Sequence, residues 1–206
     1  MPGVIFRVAF WLGGAILLAG CATLNKSECL TADWHTIGYE DGAQGYPLTR
    51  VSEHRKACAE HGIQPDLHAY RAGHGEGVRL FCTPRKAYQF GLQGRVYREV
   101  CPKDLEPDFL SYYAAGKEIY RLTRRLRRDE RVLRDLRREY VDYLSLLERK
   151  ERELVRPGLT RQERQRLLDE IKSLSASLVA FEAALYTHER SLELQRREIE
   201  RRRLTF

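Results

Sequence analysis

From Ile119 to Ile199 the apolar residues recur every three or four positions, with one interruption, and this pattern limits the second half of the chain to one class of structure. Ile119, Leu126, Leu133, Tyr140, Leu147 and Leu154 form one row, and Leu122, Asp129, Leu136, Tyr143 and Lys150 fall between them. The alternation of three and four is the seam of a supercoiled helix rather than the period of a strand. Arg156-Pro157-Gly158-Leu159-Thr160 then breaks the helix, and Thr160-x-x-Glu163 has the form of a capping box for a new one. The second arm repeats the device with Ile171, Leu178, Leu185, Leu192 and Ile199 in one row. Leu167, Leu174, Phe181, His188 and Gln195 make the other. Two such arms joined by a short break predict an antiparallel coiled-coil hairpin over residues 106–206, turning near 155–160. Each arm of about 45 residues would extend ~65 Å. A turn centred on Pro157 sets Leu133 opposite Phe181, Tyr140 opposite Leu174 and Leu147 opposite Leu167. It also brings the polar seam residues Asp129 and His188 within one helical turn, where their contact would help fix the register; the alternative is that both tilt to solvent.

The arginines at 121, 124, 125, 127, 128, 131, 134, 137 and 138 fall mostly outside the seam and are interleaved with acids. Such a run commonly forms a solvated face; the functional alternative is a basic stripe against lipid head groups or an anionic partner. The formal net charge of +7 agrees with anionic neighbours such as phosphates or cell-wall carboxylates.

Residues 29–105 differ in kind, being rich in glycine, aromatic residues and cysteine. Thr31 can cap a helix running to Gly45, where Pro47 prevents continuation, and residues 49–61 form a second helix stopped by Gly62. Asp66 starts a third, reaching Cys82, and Thr83-Pro84 starts a fourth, reaching about Val100. A weak repeat runs through them: Tyr70-x-x-Gly73-x-x-x-Gly77, Tyr88-x-x-Gly91-x-x-Gly94 and Tyr113-x-x-Gly116. Glycines at this spacing share a helix face and let backbones approach closely, at a helix-propensity cost of up to ~1 kcal/mol each. Gly73-x-Gly75-x-Gly77 lacks a preceding apolar strand, so it is no phosphate-cradling loop.

The chain starts with one positive charge before an apolar run from Val8 to Leu18, far short of the ~20 residues a membrane-spanning helix needs. A charged start, a short apolar centre and a small-residue exit describe a secretory signal peptide over residues 1–20. Leu18-Ala19-Gly20-Cys21 resembles the bacterial lipoprotein signal. That resemblance implies acylation of Cys21, cleavage before it, and residues 21–28 as a lipidated tether. In such lipoproteins an aspartate after the cysteine favours retention in the inner membrane. Ala22 and Thr23 stand here, so the resemblance implies the outer membrane on its periplasmic side. Several acyl chains together make an essentially permanent anchor. An exported chain rarely meets nucleic acid, so none is expected as a partner.

With Cys21 given to lipid, Cys29, Cys58, Cys82 and Cys101 remain. An even number in an exported chain implies two disulfides with three connectivities. No pair has the Cys-x-x-Cys spacing of zinc sites. In an up-and-down bundle Cys29 and Cys58 share one end and can pair, which leaves Cys82 with Cys101. A straight helix would hold those two roughly 25 Å apart, so their bridge requires a break near Gly91 or Gly94, or else the connectivity is a different one.

Cys29, Asp33-Trp34-x-x-Ile37-Gly38-x-x-Asp41-Gly42-x-x-Gly45, His54-x-x-Ala57-Cys58, Pro65-Asp66-x-x-x-Tyr70-x-x-Gly73, Tyr97-x-x-x-Cys101-Pro102 and Tyr113-x-x-Gly116 carry a further resemblance. Together they are similar to the bacterial lipoprotein family catalogued as domain of unknown function 2799, over about residues 21–120. The family has no established activity, so the resemblance implies an envelope lipoprotein and little more; the long basic tail lies outside it.

No Ser-His-Asp elbow, zinc-protease motif or cofactor fingerprint occurs. Five of the six histidines lie between His35 and His74, but Gly62 and Pro65 interrupt any helix carrying His54, His61 and His68 together. The expectation is an all-α, non-enzymatic lipoprotein without metal or cofactor, held at the membrane by its lipid and meeting an envelope protein or the cell wall. Asp33, Trp34 and Asp41 are the candidate binding residues, for a small ligand or peptidoglycan, if the first domain is itself a binding module.

Overall fold

The computed structural model describes residues 23–205; the expected leader and the lipid-attachment site Cys21 lie outside them. Every regular element among the described residues is helical: α1 (Lys26–Leu30), α2 (Trp34–Ala43), a 3-10 turn (Leu48–Arg50), α3 (Val51–Ala59), α4 (Leu67–Phe81), α5 (Pro84–Leu92), α6 (Glu106–Leu154) and α7 (Arg161–Arg203). Among them no helix is long and apolar enough to cross a membrane.

The caps explain where the short helices start. Asn25 and Glu28 form a capping box that opens α1, and Thr31, expected to begin the next helix, closes α1 instead. The cap of α2 is Asp33, whose carboxylate accepts from the amides of His35 (3.0 Å) and Thr36 (3.3 Å). A carboxylate satisfies two orphan amides and meets the positive end of the helix, which a threonine hydroxyl does less well. Asp66 repeats this geometry at α4.

The domain is one device used twice. In the first unit α2 crosses α4 through Gly42 and Gly77. A Cβ on Gly77 would lie 2.8 Å from the Ala43 amide nitrogen, and one on Gly42 would lie 2.7 Å from that of Val78. In the second unit α5 crosses the start of α6 through Gly91 and Gly116, with 2.7 Å to the Lys117 nitrogen and 2.9 Å to that of Leu92. Backbones this close tolerate no side chain between them. The first helix of each pair ends on a left-handed glycine, Gly45 (φ +76°) or Gly94 (φ +67°), packed under an aromatic ring, Phe81 or Tyr120. Beyond it the Tyr46 amide returns to the Asp41 carbonyl, and the Arg95 amide to that of Phe90. One side chain from the opposing helix then binds the next carbonyl: His74 Nε2 lies 2.8 Å from Tyr46 O, and the Tyr113 hydroxyl donates to Arg95 O at 2.8 Å.

Each unit also carries one disulfide. Cys29–Cys58 and Cys82–Cys101 close with Cα separations of 5.5 and 5.6 Å. The break that the second bridge requires is present, because α5 stops at Leu92 and Gly94 redirects the chain rather than letting it run helical to Val100. Two small cores result. One gathers Trp34 and Tyr70 around Cys29–Cys58, and the other gathers Phe81, Phe90, Phe109 and Tyr113 around Cys82–Cys101. Phe109, Tyr113 and Gly116 lie on α6, so this single helix finishes the domain before it becomes an arm of the hairpin.

Helices α6 and α7 form the antiparallel hairpin, with Thr160 and Glu163 completing the capping box of α7. Its register differs from a pivot at Pro157. Tyr143 packs on Phe181 with ring centroids 5.1 Å apart, Tyr140 donates to Glu182, Lys150 reaches Glu170, and Leu133 shares a surface hollow with Leu192 rather than facing Phe181. Each partner lies roughly two to three helical turns further along α7 than the symmetric pivot would place it. Asp129 accordingly accepts a 2.8 Å hydrogen bond from Gln195 and does not meet His188. The expected register would have set the Asp129 carboxylate level with Leu185, whereas this one supplies it with a donor. The reversal is also not centred on the proline, since it continues into the first turn of α7, where Arg164 donates to Leu154 O.

Candidate functional site

The internal repeat exposes where the first unit departs from what the fold alone requires. Asp41 on α2 corresponds to Phe90 on α5, and Tyr70 on α4 corresponds to Phe109 on α6. Where the second unit packs aromatic rings, the first buries a hydrogen-bonded acid.

Gly38 and Gly73 bring α4 onto the face of α2 that carries Asp41. A Cβ on Gly38 would lie 2.9 Å from the Tyr70 carbonyl carbon, and one on Gly73 would lie 2.8 Å from that of His35. Tyr70, fully buried, thereby donates its hydroxyl to Asp41 Oδ2 at 2.7 Å. From α3, His54 Nε2 lies 2.7 Å from the same oxygen. Arg50, at the end of the 3-10 turn, places Nε 3.0 Å from Oδ1 and stacks its guanidinium 3.8 Å over the Tyr46 ring. His54 Nδ1 lies 2.9 Å from the hydroxyl of Thr23. An ionised carboxylate only accepts, so the Nε2–H of His54 donates to Asp41, and its Nδ1 faces the Thr23 hydroxyl.

Burial acts to raise the Asp41 pKa, but hydrogen bonds from His54 and Tyr70 and the charges of His54 and Arg50 outweigh it and hold the carboxyl below its ordinary value. Burial, then the bond to Asp41, pushes the Tyr70 hydroxyl far above the usual phenol range. In the second unit burial, followed by Glu106, raises Tyr97 to about 12. These phenols are donors at any physiological pH. Asp41, His54 and Tyr70 are 6%, 3% and 0% exposed, and their polar atoms are spent on one another. The arrangement is suited to holding α2, α3, α4 and the segment at Thr23 in one geometry.

Of the residues singled out from sequence, Asp41 stands at the centre of this cluster. Asp33 is separate from it and caps α2. Trp34 is buried against the Cys29–Cys58 bridge, so its ring is core rather than a binding surface. Sequence reasoning missed His54, Tyr70, Arg50 and Thr23 as partners of Asp41. His54 and Tyr70 stood in the quoted family motifs, and that was the available signal; only the crossing of α2 and α4 brings them to one carboxylate. Among the described residues no three His, Cys, Asp or Glu side chains converge to hold a metal ion. Beside Tyr70 an open cleft of about 280 Å³ runs between the first turns of α3 and α4, walled by Leu48, Val51 and Leu67 and flanked by Arg55 and Arg71.

Residues 33–118 match the model of a family described as protein of unknown function (DUF2799). The match takes in Asp41, His54, Tyr70 and both glycine crossings, and it stops where α6 leaves the domain. No curated protein and no solved structure matches the chain.

Proposed function

We propose that this protein is a non-enzymatic lipoprotein of the outer membrane, acylated on Cys21 and facing the periplasm, that serves as a structural or protein-interaction module of the cell envelope. The observation that carries this reading is the bond between Thr23 and His54. Thr23 is two residues beyond Cys21, so a buried cluster that packing does not require holds the chain within roughly 7 Å of the expected anchor. Leu24 supports it by packing against the same core. The domain is thus built to sit close to its own N-terminal segment, and α7, packed along α6, is left to meet a partner. Labelling with a fatty-acid analogue should mark the wild-type chain and not Cys21→Ser. A photo-crosslinker at Val179 or Tyr186, both on the outer face of α7 and about two-thirds exposed, should capture a defined envelope protein. An unlabelled wild-type chain sinks the anchor, and the absence of any crosslinked envelope protein under native expression sinks the interaction role.

A second reading, a module for a small ligand or a cell-wall fragment, draws on the cleft beside Tyr70. Its apolar walls and two flanking guanidinium groups suit a small carboxylate with an apolar arm. Binding of cell-wall peptides by the full chain, weakened in Arg55→Ala/Arg71→Ala, would favour it over the first.

A further inference from the structure

The nine arginines between 121 and 138 divide into two groups. Arg121, Arg125, Arg137 and Arg138 each meet a carboxylate, from Glu118, Asp129, Glu189 and Asp135 respectively. Arg124, Arg127, Arg128, Arg131 and Arg134 have no acidic partner among the described residues, and all five are exposed. Arg124 lies over the Tyr120 ring at 5.8 Å, a contact that leaves its charge uncompensated. Arg124, Arg127, Arg128 and Arg131 lie on the side of α6 turned away from the Leu126–Leu133 seam, and Arg134 stands at its edge, where it also borders the hollow between α6 and α7. Spaced by three and four, Arg124, Arg127, Arg131 and Arg134 make one straight row about 15 Å long. A shallow trough of about 410 Å³ runs between them. The one acid bordering it, Glu130, is bound by Arg196 of α7 at 2.8 Å, which leaves the trough without a free counter-charge.

We propose that this row seats the back of α6 on a bilayer surface bearing phosphate headgroups, so that the proximal half of the hairpin lies along the membrane. A straight, one-sided row of guanidinium groups matches a flat anionic surface, because each group can fork onto a different headgroup phosphate without bending the helix. The outer face of α7, with exposed Val179, Tyr186 and Leu194, is then directed away from the bilayer toward a partner. This deepens the envelope reading and rests on it for the choice of a lipid surface.

The test uses the chain beginning at residue 22, which keeps every described residue and carries no acyl group. Vesicle partition then reads the row alone, and fatty-acid labelling reads the anchor separately. At low salt the protein should partition onto vesicles of about 30% phosphatidylglycerol in phosphatidylcholine at least tenfold better than onto phosphatidylcholine alone. Most of that preference should vanish near ~0.5 M salt. Arg127→Gln/Arg131→Gln/Arg134→Gln should weaken partition on the order of a hundredfold, and Arg131→Gln alone about fivefold. Arg138→Gln/Arg152→Gln/Arg197→Gln removes equal charge from arginines already paired with Asp135, Glu148 and Glu193, and should cost less than about threefold. Circular dichroism checks that each variant stays helical. Equal losses in the two triple variants, no preference for anionic vesicles, or tighter binding to a soluble polyanion at equal anionic charge would each overturn the proposal.

Discussion

Two glycines on α4, two residues apart, should respond to the same substitution with opposite sign. A Cβ on Gly73 would lie 2.8 Å from the His35 carbonyl carbon, closer still to its oxygen, and 3.0 Å from the Tyr39 nitrogen. All three are backbone atoms, so α2 must retreat by more than half an ångström to reach ordinary contact near ~3.4 Å. A Cβ on Gly75 meets nothing within 4 Å. Alanine gains about 1 kcal/mol of helix propensity at either position. At Gly75 that gain stands alone. At Gly73 overpacking costs about 1–3 kcal/mol, and retreat of α2 also lengthens the bonds converging on Asp41, each worth about 1.5–3 kcal/mol when one partner is charged. The expected net is a loss of about 2 kcal/mol for Gly73→Ala and a gain of up to about 1 kcal/mol for Gly75→Ala. At roughly 4–8 °C per kcal/mol for a domain of this size, the melting temperatures should move apart by more than 10 °C. Trp34, the sole tryptophan of the described residues and part of the first core, reports the transition by fluorescence. A Gly73→Ala protein melting at or above the wild-type temperature would refute the backbone-contact argument.

Asp41→Asn should destabilise the domain by about 3 kcal/mol, because Arg50, His54 and Tyr70 lose the charged acceptor they share. The folded pKa of Asp41 is depressed, so its contribution is fully present above the unfolded carboxylate value near 3.9 and is lost as pH falls through the folded value. Acid melts of wild type and Asp41→Asn should therefore converge below roughly pH 4; parallel curves would remove the carboxylate from the explanation. Reducing both disulfides should cost about 3–4 kcal/mol for each loop closed and broaden Trp34 fluorescence, while the far-ultraviolet helical signal of α6 and α7 largely persists. In the hairpin, Gln195→Leu should cost about 1–2 kcal/mol in urea unfolding by leaving Asp129 short of a donor. His188→Leu should leave the register unchanged, and cysteines placed at Lys150 and Glu170 should be joined within one chain by a short bis-maleimide.

Much of this architecture follows from local chemistry. The hairpin is written in the three-four spacing of Ile119 to Leu154 and Ile171 to Ile199, because a helix rotates 100° per residue and that spacing gathers apolar groups on one stripe. The proline-glycine break and the Thr160–Glu163 box act within a few residues, so the turn between the arms is equally local. The even count of four cysteines predicts two bridges, and a glycine able to take φ +67° permits Cys82–Cys101, but the choice among three connectivities belongs to the packed helices.

What the chain settles only in three dimensions depends on contacts between residues far apart in sequence. Register is one case. Heptad rows fit each other at every shift of seven, and the choice among shifts is made by pairings such as Asp129 with Gln195 and Tyr143 with Phe181, which no local pattern ranks. The Asp41 cluster is another: its members come from α2, the 3-10 turn, α3, α4 and Thr23, and only the glycine-to-glycine approach of α2 and α4 sets Tyr70 over the carboxylate. The arginine run is the third. Arg121, Arg125 and Arg138 find their acids three or four residues away on α6, as the spacing allows, but only packing gives Arg137 the Glu189 carboxylate and takes Glu130 up with Arg196. The sequence by itself thus determined the elements and their ends, which need interactions over a few residues. The tertiary structure alone decided which elements meet, because burial and charge compensation between helices exist only once distant helices pack.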